Sequence, residues 1–138
     1  GDPDAQHRAG EMLLRGRGAH VDPRRALEWF RRAAASGHVQ ARYRVGYMLL
    51  KGLGTPPRPA RARVLLEAAA RAGHDPARFY LGQIHALGLG VEVDSARALH
   101  WILASVQEGY QPPLEELRRI REALGDRWPV REEVPPAD

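Results

Sequence analysis

The sequence predicts an all-α chain: three consecutive helix-turn-helix repeats stacked as a solenoid, closed by one C-terminal helix. Three observations predict it. Helix-favouring Ala, Leu, Arg and Glu dominate the 138 residues, and Thr occurs once, at Thr55. A set of positions recurs with a step of 36 residues over three copies. Glycines fall in pairs between the apolar-periodic stretches, where helices stop.

The recurring glycines are Gly10, Gly46 and Gly82; Gly16, Gly52 and Gly88; Gly18, Gly54 and Gly90; and Gly37, Gly73 and Gly109. Ala5, Ala41 and Ala77 keep the same step, as do Ala26, Ala62 and Ala98, and the large residues Trp29, Leu65 and Trp101. The units run over about 2–38, 39–74 and 75–110.

In the first unit a helix A runs from about Ala5 to Arg15, with Ala5, Ala9, Met12 and Leu13 on one face. Gly16 ends it with a residue free to take positive φ. Helix B opens at Asp22, whose carboxylate can accept from orphan N–H groups, with Pro23 at the first helical position. It turns Ala26, Trp29, Phe30, Ala33 and Ala34 inward and ends at Gly37. The later copies place helix A near 40–51 and 75–87 and helix B near 59–72 and 95–108. A glycine inside a helix costs about 1 kcal/mol relative to alanine. Three such glycines, at 10, 46 and 82, imply a compensating close approach of helix B with Trp29, Leu65 or Trp101.

After Tyr110 the pattern changes. Pro112-Pro113 introduces a helix with Glu115 and Glu116 in its first turn, Arg118, Arg119 and Arg121 later, and a stripe of Leu114, Leu117, Ile120 and Leu124. Residues 111–128 are expected to cap the open end of the array, with Trp128 folding back on it, and 129–138 to form a loose tail.

The pattern A-x-x-x-[LV]-G-x-[MI]-x-x-x-G-x-G of Ala41–Gly54, the D-x-x-x-A-L-x-W of Asp22–Trp29 and the A-x-x-x-G ending at Gly37 resemble the Sel-one-like repeat (SLR) family, a relative of the tetratricopeptide repeat. The second copy departs from it: Arg58 replaces the capping Asp, Arg63 the following Leu, and Thr55-Pro56-Pro57 fills the loop, so helix B is expected to start late, near Pro59. The resemblance implies a right-handed α-α superhelix whose A helices line a concave surface, acting as a scaffold or adaptor for other proteins.

Several chemistries are set aside. No apolar run reaches the roughly 18 residues of a membrane span. The absence of cysteine removes disulfides, thiolate zinc sites and Cys nucleophiles, and says nothing of compartment. Gly16-Arg17-Gly18 and Gly88-Leu89-Gly90 follow a helix and lack the third glycine, so they are not nucleotide loops. His38 and His74 lie one repeat apart, about 10 Å in a helical stack and too far to share an ion; His7, His20, His85 and His100 have no ligand spacing. Ser36, Ser95 and Ser105 lack the context of a nucleophile, and the carboxylates are scattered. The sequence is read as non-enzymatic, without metal or cofactor.

Charge is uneven. Residues 23–72 hold 11 basic residues against Glu28 and Glu67, in a chain of formal net charge +4. Arg24, Arg25, Arg31, Arg32, Arg61, Arg63 and Arg71 fall mainly on helix B, as a solvated outer face or as a polyanion-binding one. An Arg run alone lacks the regular aromatic interleaving of single-strand binders, which favours the solvated reading over nucleic acid.

The expected binding surface is the concave one. Stacking the repeats gives a row His7–Tyr43–Phe79 beside a row Glu11–Tyr47–Gln83, with Leu50 on the same face, flanked by Arg15, Lys51 and Leu87, and with Arg8, Arg44 and Tyr80 as a neighbouring row. Aromatic rings with a basic edge anchor peptides; the alternative is that Tyr43 and Phe79 pack as core between adjacent A helices. The function expected is a protein–protein interaction module holding a partner protein or peptide on His7, Glu11, Tyr43, Tyr47, Leu50, Lys51, Phe79 and Gln83. The alternatives are a polyanion or nucleic-acid binder using the Arg-rich convex face, and a partner-blocking protein of the effector-immunity type.

Overall fold

A computed structural model describes residues 1–128; the expected tail, 129–138, lies outside the described residues. Among the described residues the chain is all-helical: α1 (Pro3–Arg15), α2 (Pro23–Ala35), α3 (Val39–Lys51), α4 (Pro59–Arg71), α5 (Asp75–Leu87), α6 (Ser95–Gln107) and α7 (Leu114–Leu124), the last followed by a 3-10 turn at Gly125–Arg127. The first six form three antiparallel pairs, and each pair packs through its second helix on the first helix of the next. An array in which a unit meets chiefly its chain neighbours is an α-solenoid.

The helix boundaries follow from local chemistry. Asp22 and Asp94 accept from the backbone N–H of Arg25 at 3.2 Å and Arg97 at 3.1 Å, capping α2 and α6. At the same place before α4 stands Arg58, with no side-chain cap. α4 starts at Pro59, the residue expected, and this is the register of α2 at Pro23, so the missing cap does not delay the helix: tertiary packing holds it in place of the cap. His38 and His74 take the capping role for α3 and α5, their Nδ1 atoms accepting from Ala41 N at 3.1 Å and Ala77 N at 3.3 Å. A ring that accepts at Nδ1 carries its proton on Nε2, and His38 Nε2 donates to Asp4 Oδ1 at 2.9 Å.

The mid-helix glycines do mark close approaches, but not against the expected residues. A Cβ on Gly10 would lie 2.7 Å from the Phe30 ring, on Gly46 2.8 Å from Leu66 Cγ, and on Gly82 2.5 Å from Ile102 Cγ1. Helix B thus aims the residue after Trp29, Leu65 and Trp101 at the glycine; Phe30, Leu66 and Ile102 are fully buried, while the two tryptophans and Leu65 are half-buried at the rim. The loop glycines serve the next level of packing. Gly54, at φ 74°, would place a Cβ 2.7 Å from the carbonyl of Pro23, so the loop of one repeat rests on the start of helix B in the repeat before.

The first copy shows what a neighbour contributes. Met12 is 45% exposed, whereas its equivalents Met48 and Ile84 are fully buried: among the described residues α1 packs chiefly on α2, while α3 and α5 are each packed from both sides. Ala5 is likewise exposed where Ala41 and Ala77 are buried.

Beyond Tyr110, α7 packs along α5 and makes no comparable interface with α6. Leu117, Ile120 and Leu124 are its buried stripe, and Leu114 remains exposed. Trp128 does fold back, the Arg121 guanidinium lying 5.7 Å from its ring centre.

Candidate partner-binding site

The residues singled out in the sequence come from one side of the A helices, and the structure joins most of them into a network. At its N-terminal end, His7 is wedged between Phe30, with ring centres 5.5 Å apart, and His38, at 4.9 Å. Burial holds its pKa below the usual 6.5. Glu11 accepts from Arg44 Nε at 2.6 Å across the repeat boundary and pairs with Arg15 at 3.0 Å in its own helix. Glu11 is therefore already committed to two guanidinium groups.

In the second repeat, Tyr43 packs on His74 at 4.6 Å and on Tyr47 at 5.9 Å. Tyr43 is buried, and burial pushes its phenol well above the ordinary tyrosine range. Tyr47 is half-buried and meets Tyr80 edge to face at 5.1 Å. The ammonium of Lys51 hangs over both rings, 5.9 Å from that of Tyr47 and 5.5 Å from that of Tyr80. Leu50 is buried beside them.

Four expected positions are corrected. Phe79 is fully buried, Gln83 is 2% exposed, and Tyr43 and Leu50 are buried as well, so these residues support the face from beneath and do not themselves offer a surface to a partner. Phe79 packs against Tyr80 at 5.1 Å and Tyr110 at 5.9 Å, which makes it core, and burying such a ring contributes about 2–3 kcal/mol. Gln83 lies in the helix that α7 packs along, with its amide Nε2 buried and without a hydrogen-bond partner.

Three residues complete the site that the sequence reading left outside it or at its margin: Tyr80, Tyr110 and Glu116. One carboxylate oxygen of Glu116 accepts from Lys51 and the other from Tyr80 Oη, the latter at 2.5 Å. Burial alone would raise the Glu116 pKa, but the bonds from Lys51 and Tyr80 outweigh it and hold the carboxyl below 4.5. Burial and the same carboxylate drive Tyr80 upward, and the half-buried Tyr110 close by is pushed up to about 12 by the same two causes. All these phenols are neutral hydrogen-bond donors near neutral pH. A signal for the missed residues exists: Glu116 stands one 36-residue step after Tyr80 and two after Arg44, and Tyr110 one step after His74.

This face offers half-buried aromatic rings, one ammonium and neutral phenol donors, and it already holds a carboxylate. Among the described residues no group of three His, Cys, Asp or Glu side chains is placed to hold a metal ion. No described helix is long and apolar enough to cross a membrane.

Stacked helix pairs with a side-chain network across one set of helices define a helical repeat protein of the interaction class. The Sel1 repeat model matches residues 3–38, 39–74 and 75–110, and the chain belongs to the Sel1 repeat family. Two solved structures are similar over nearly all of it. A Sel1 repeat protein from Oxalobacter formigenes shares 28% identity at a TM-score of 0.75, covering 96% of this chain and 54% of that one. A protective antigen of uropathogenic Escherichia coli displaying an SLR fold shares 26% identity at a TM-score of 0.80, covering 97% of this chain and 27% of that one. The chain thus spans about half of the first and a quarter of the second. None of the curated proteins matches it. Sel1 repeat proteins generally mediate protein–protein interaction and are generally non-catalytic scaffolds.

Proposed function

We propose that this chain is a non-enzymatic adaptor that holds a segment of a partner protein in the concave groove of its A helices, on Tyr47 and Lys51, backed by the buried Tyr43 and Leu50, with His7 and Glu11 toward the N-terminal end. The seat of α7 carries this reading. An amphipathic helix with an acidic first turn already lies against this face, its Glu116 on Lys51 and Tyr80 and its apolar stripe buried. A face that accepts one such helix in cis has the chemistry to accept an acidic, apolar segment in trans. The half-buried ring of Tyr47 and the partly exposed ammonium of Lys51 are the accessible anchors.

The test places a photo-reactive amino acid at Tyr47 and, as a control, at the exposed Arg24 of α2, in extracts of the source organism with and without nuclease treatment. A protein adduct formed from position 47, absent from position 24 and lost with Lys51→Glu, is the expected result. Adducts from position 24 alone, or capture that vanishes on nuclease treatment, would overturn the reading and move function to the Arg-rich convex face.

A further inference from the structure

A second surface lies on the other side of the array. Between α2 and α4, with α3 as its floor, runs an open trough of about 790 Å³, lined by Ala34, Val45, Leu49, Val64 and Leu65 and rimmed by Arg31, Arg42 and Arg61. We infer that this trough is a docking site for an acidic amphipathic helix of a partner protein, its apolar side chains in the trough and its carboxylates on the three guanidinium groups.

Three features support this occupant. The first is unspent charge. Among the described residues none of the three arginines makes an ion pair; Arg42 only donates to the Ala34 carbonyl, at 3.4 Å. The acids of this stretch are Glu28 and Glu67, and Glu67 is shared by Arg63 at 3.5 Å and Arg71 at 3.0 Å. Guanidinium groups bind carboxylates in bidentate fashion and are suited to a flanking acidic row.

The second is exposed apolar surface. Val64 is 61% exposed in the middle of α4, on the trough wall. The third is that the trough comes from a change in the repeat. One repeat later the positions of Leu49, Val64 and Leu65 hold His85, His100 and Trp101, with the His100 and Trp101 rings 5.0 Å apart, edge to face. The second repeat puts aliphatic residues where the third puts rings, and so leaves an apolar furrow. No aromatic ring lines it, so it lacks the stacking platform that single-stranded nucleic acid requires. Its open form suits the apolar ridge of a helix.

The probe is a fluorescein-labelled peptide with leucine at helical i, i+3, i+4, i+7 spacing and glutamate on both flanks, titrated into the full chain and followed by anisotropy. Its controls are the same residues in scrambled order and a single-stranded oligonucleotide of equal charge. The expected result is saturable binding, at least about tenfold tighter than either control. Arg31→Glu/Arg61→Glu should weaken it about a hundredfold. Leu65→Trp, which fills the furrow with the residue already tolerated at 29 and 101, should weaken it about tenfold with the circular dichroism unchanged. Equal binding of the scrambled peptide, tighter binding of the oligonucleotide, or indifference to Leu65→Trp would overturn the docking site in favour of plain charge attraction. Loss of binding with Tyr47→Ala instead would place the peptide in the A-helix groove and equally sink the inference.

Discussion

Tyr80 Oη donates to Glu116 Oε2 at 2.5 Å while Lys51 holds the other oxygen of the same carboxylate, so one side chain of α7 ties the second and third repeats together. Replacing Glu116 with Gln keeps the shape, removes the charge and leaves Lys51 without its partner. Stability should fall by about 1–2 kcal/mol in urea denaturation. Amide exchange in α7 should quicken while that in α1 and α2 stays unchanged. Equal protection of α7 in both proteins would show that its apolar stripe alone holds it.

Stability should also fall with acid, in two stages. Burial lowers the pKa of His7, His74 and His85 below 6.5, so as pH drops past that value the unfolded chain takes up protons that the native chain refuses. Their contribution is complete above the unfolded pKa and is lost as pH falls toward the folded values. Glu116 adds a second loss below about 4.5, where the unfolded carboxyl protonates before the native one. His74→Asn keeps an acceptor for the Ala77 N–H and removes one titration, so its midpoint should vary less between about pH 8 and pH 5. An unchanged slope would remove His74 from the account.

Gly82→Ala should destabilise by about 1–3 kcal/mol, although alanine favours helix by about 1 kcal/mol. The added Cβ would meet Ile102 Cγ1 at 2.5 Å and the fixed carbonyl oxygen of Ala98 at 3.0 Å. Gly46→Ala should be milder, since the atoms crowding closest there belong to the Leu66 side chain, at 2.8 and 2.9 Å, which can shift. Melting temperatures of the two variants test the order; the reverse order would mean that the backbone at Ala98 yields more easily than Leu66.

Arg58→Asp should stabilise by about 1 kcal/mol. Arg58 has φ −136° and ψ 74°, close to the −147° and 86° of the capping Asp22, so the new carboxylate is placed to accept near the N-terminus of α4. A chemical melt reads the gain, and a variant no more stable than the parent would show that the α4 N–H groups lack nothing.

The period of the sequence made the helices legible because each repeat spends the same residue types on the same turn: Gly16, Gly52 and Gly88 end α1, α3 and α5 in strict register. Side-chain facing was legible only to within one residue. Trp29 and Phe30 are both large and apolar, and a step of one residue turns about 100° around a helix, so composition could not say which of them meets Gly10. The candidate face was half legible. Tyr43, Tyr47 and Lys51 come together as their stacking predicts, but Phe79 and Gln83 are buried. The cover at that end is a helix outside the repeat motif. Position 118 of α7 is Arg where Gly46 and Gly82 stand, so the motif stops while the register of Tyr80 and Glu116 continues. Where a helix without a second helix of its own comes to rest is decided by tertiary contacts, which leave no periodic mark.

The clasp on Glu116 also changes how the array comes apart. In a chain of units linked only to their neighbours, the terminal unit opens first and alone, as in a one-dimensional Ising model. Here α7 is bonded to Lys51, beyond the adjoining repeat. Fraying from the C-terminal end must therefore give up a tie to the middle of the array as well as one to its edge. That couples the last two repeats and α7 into a single cooperative block, which the clasp does not extend to the first repeat.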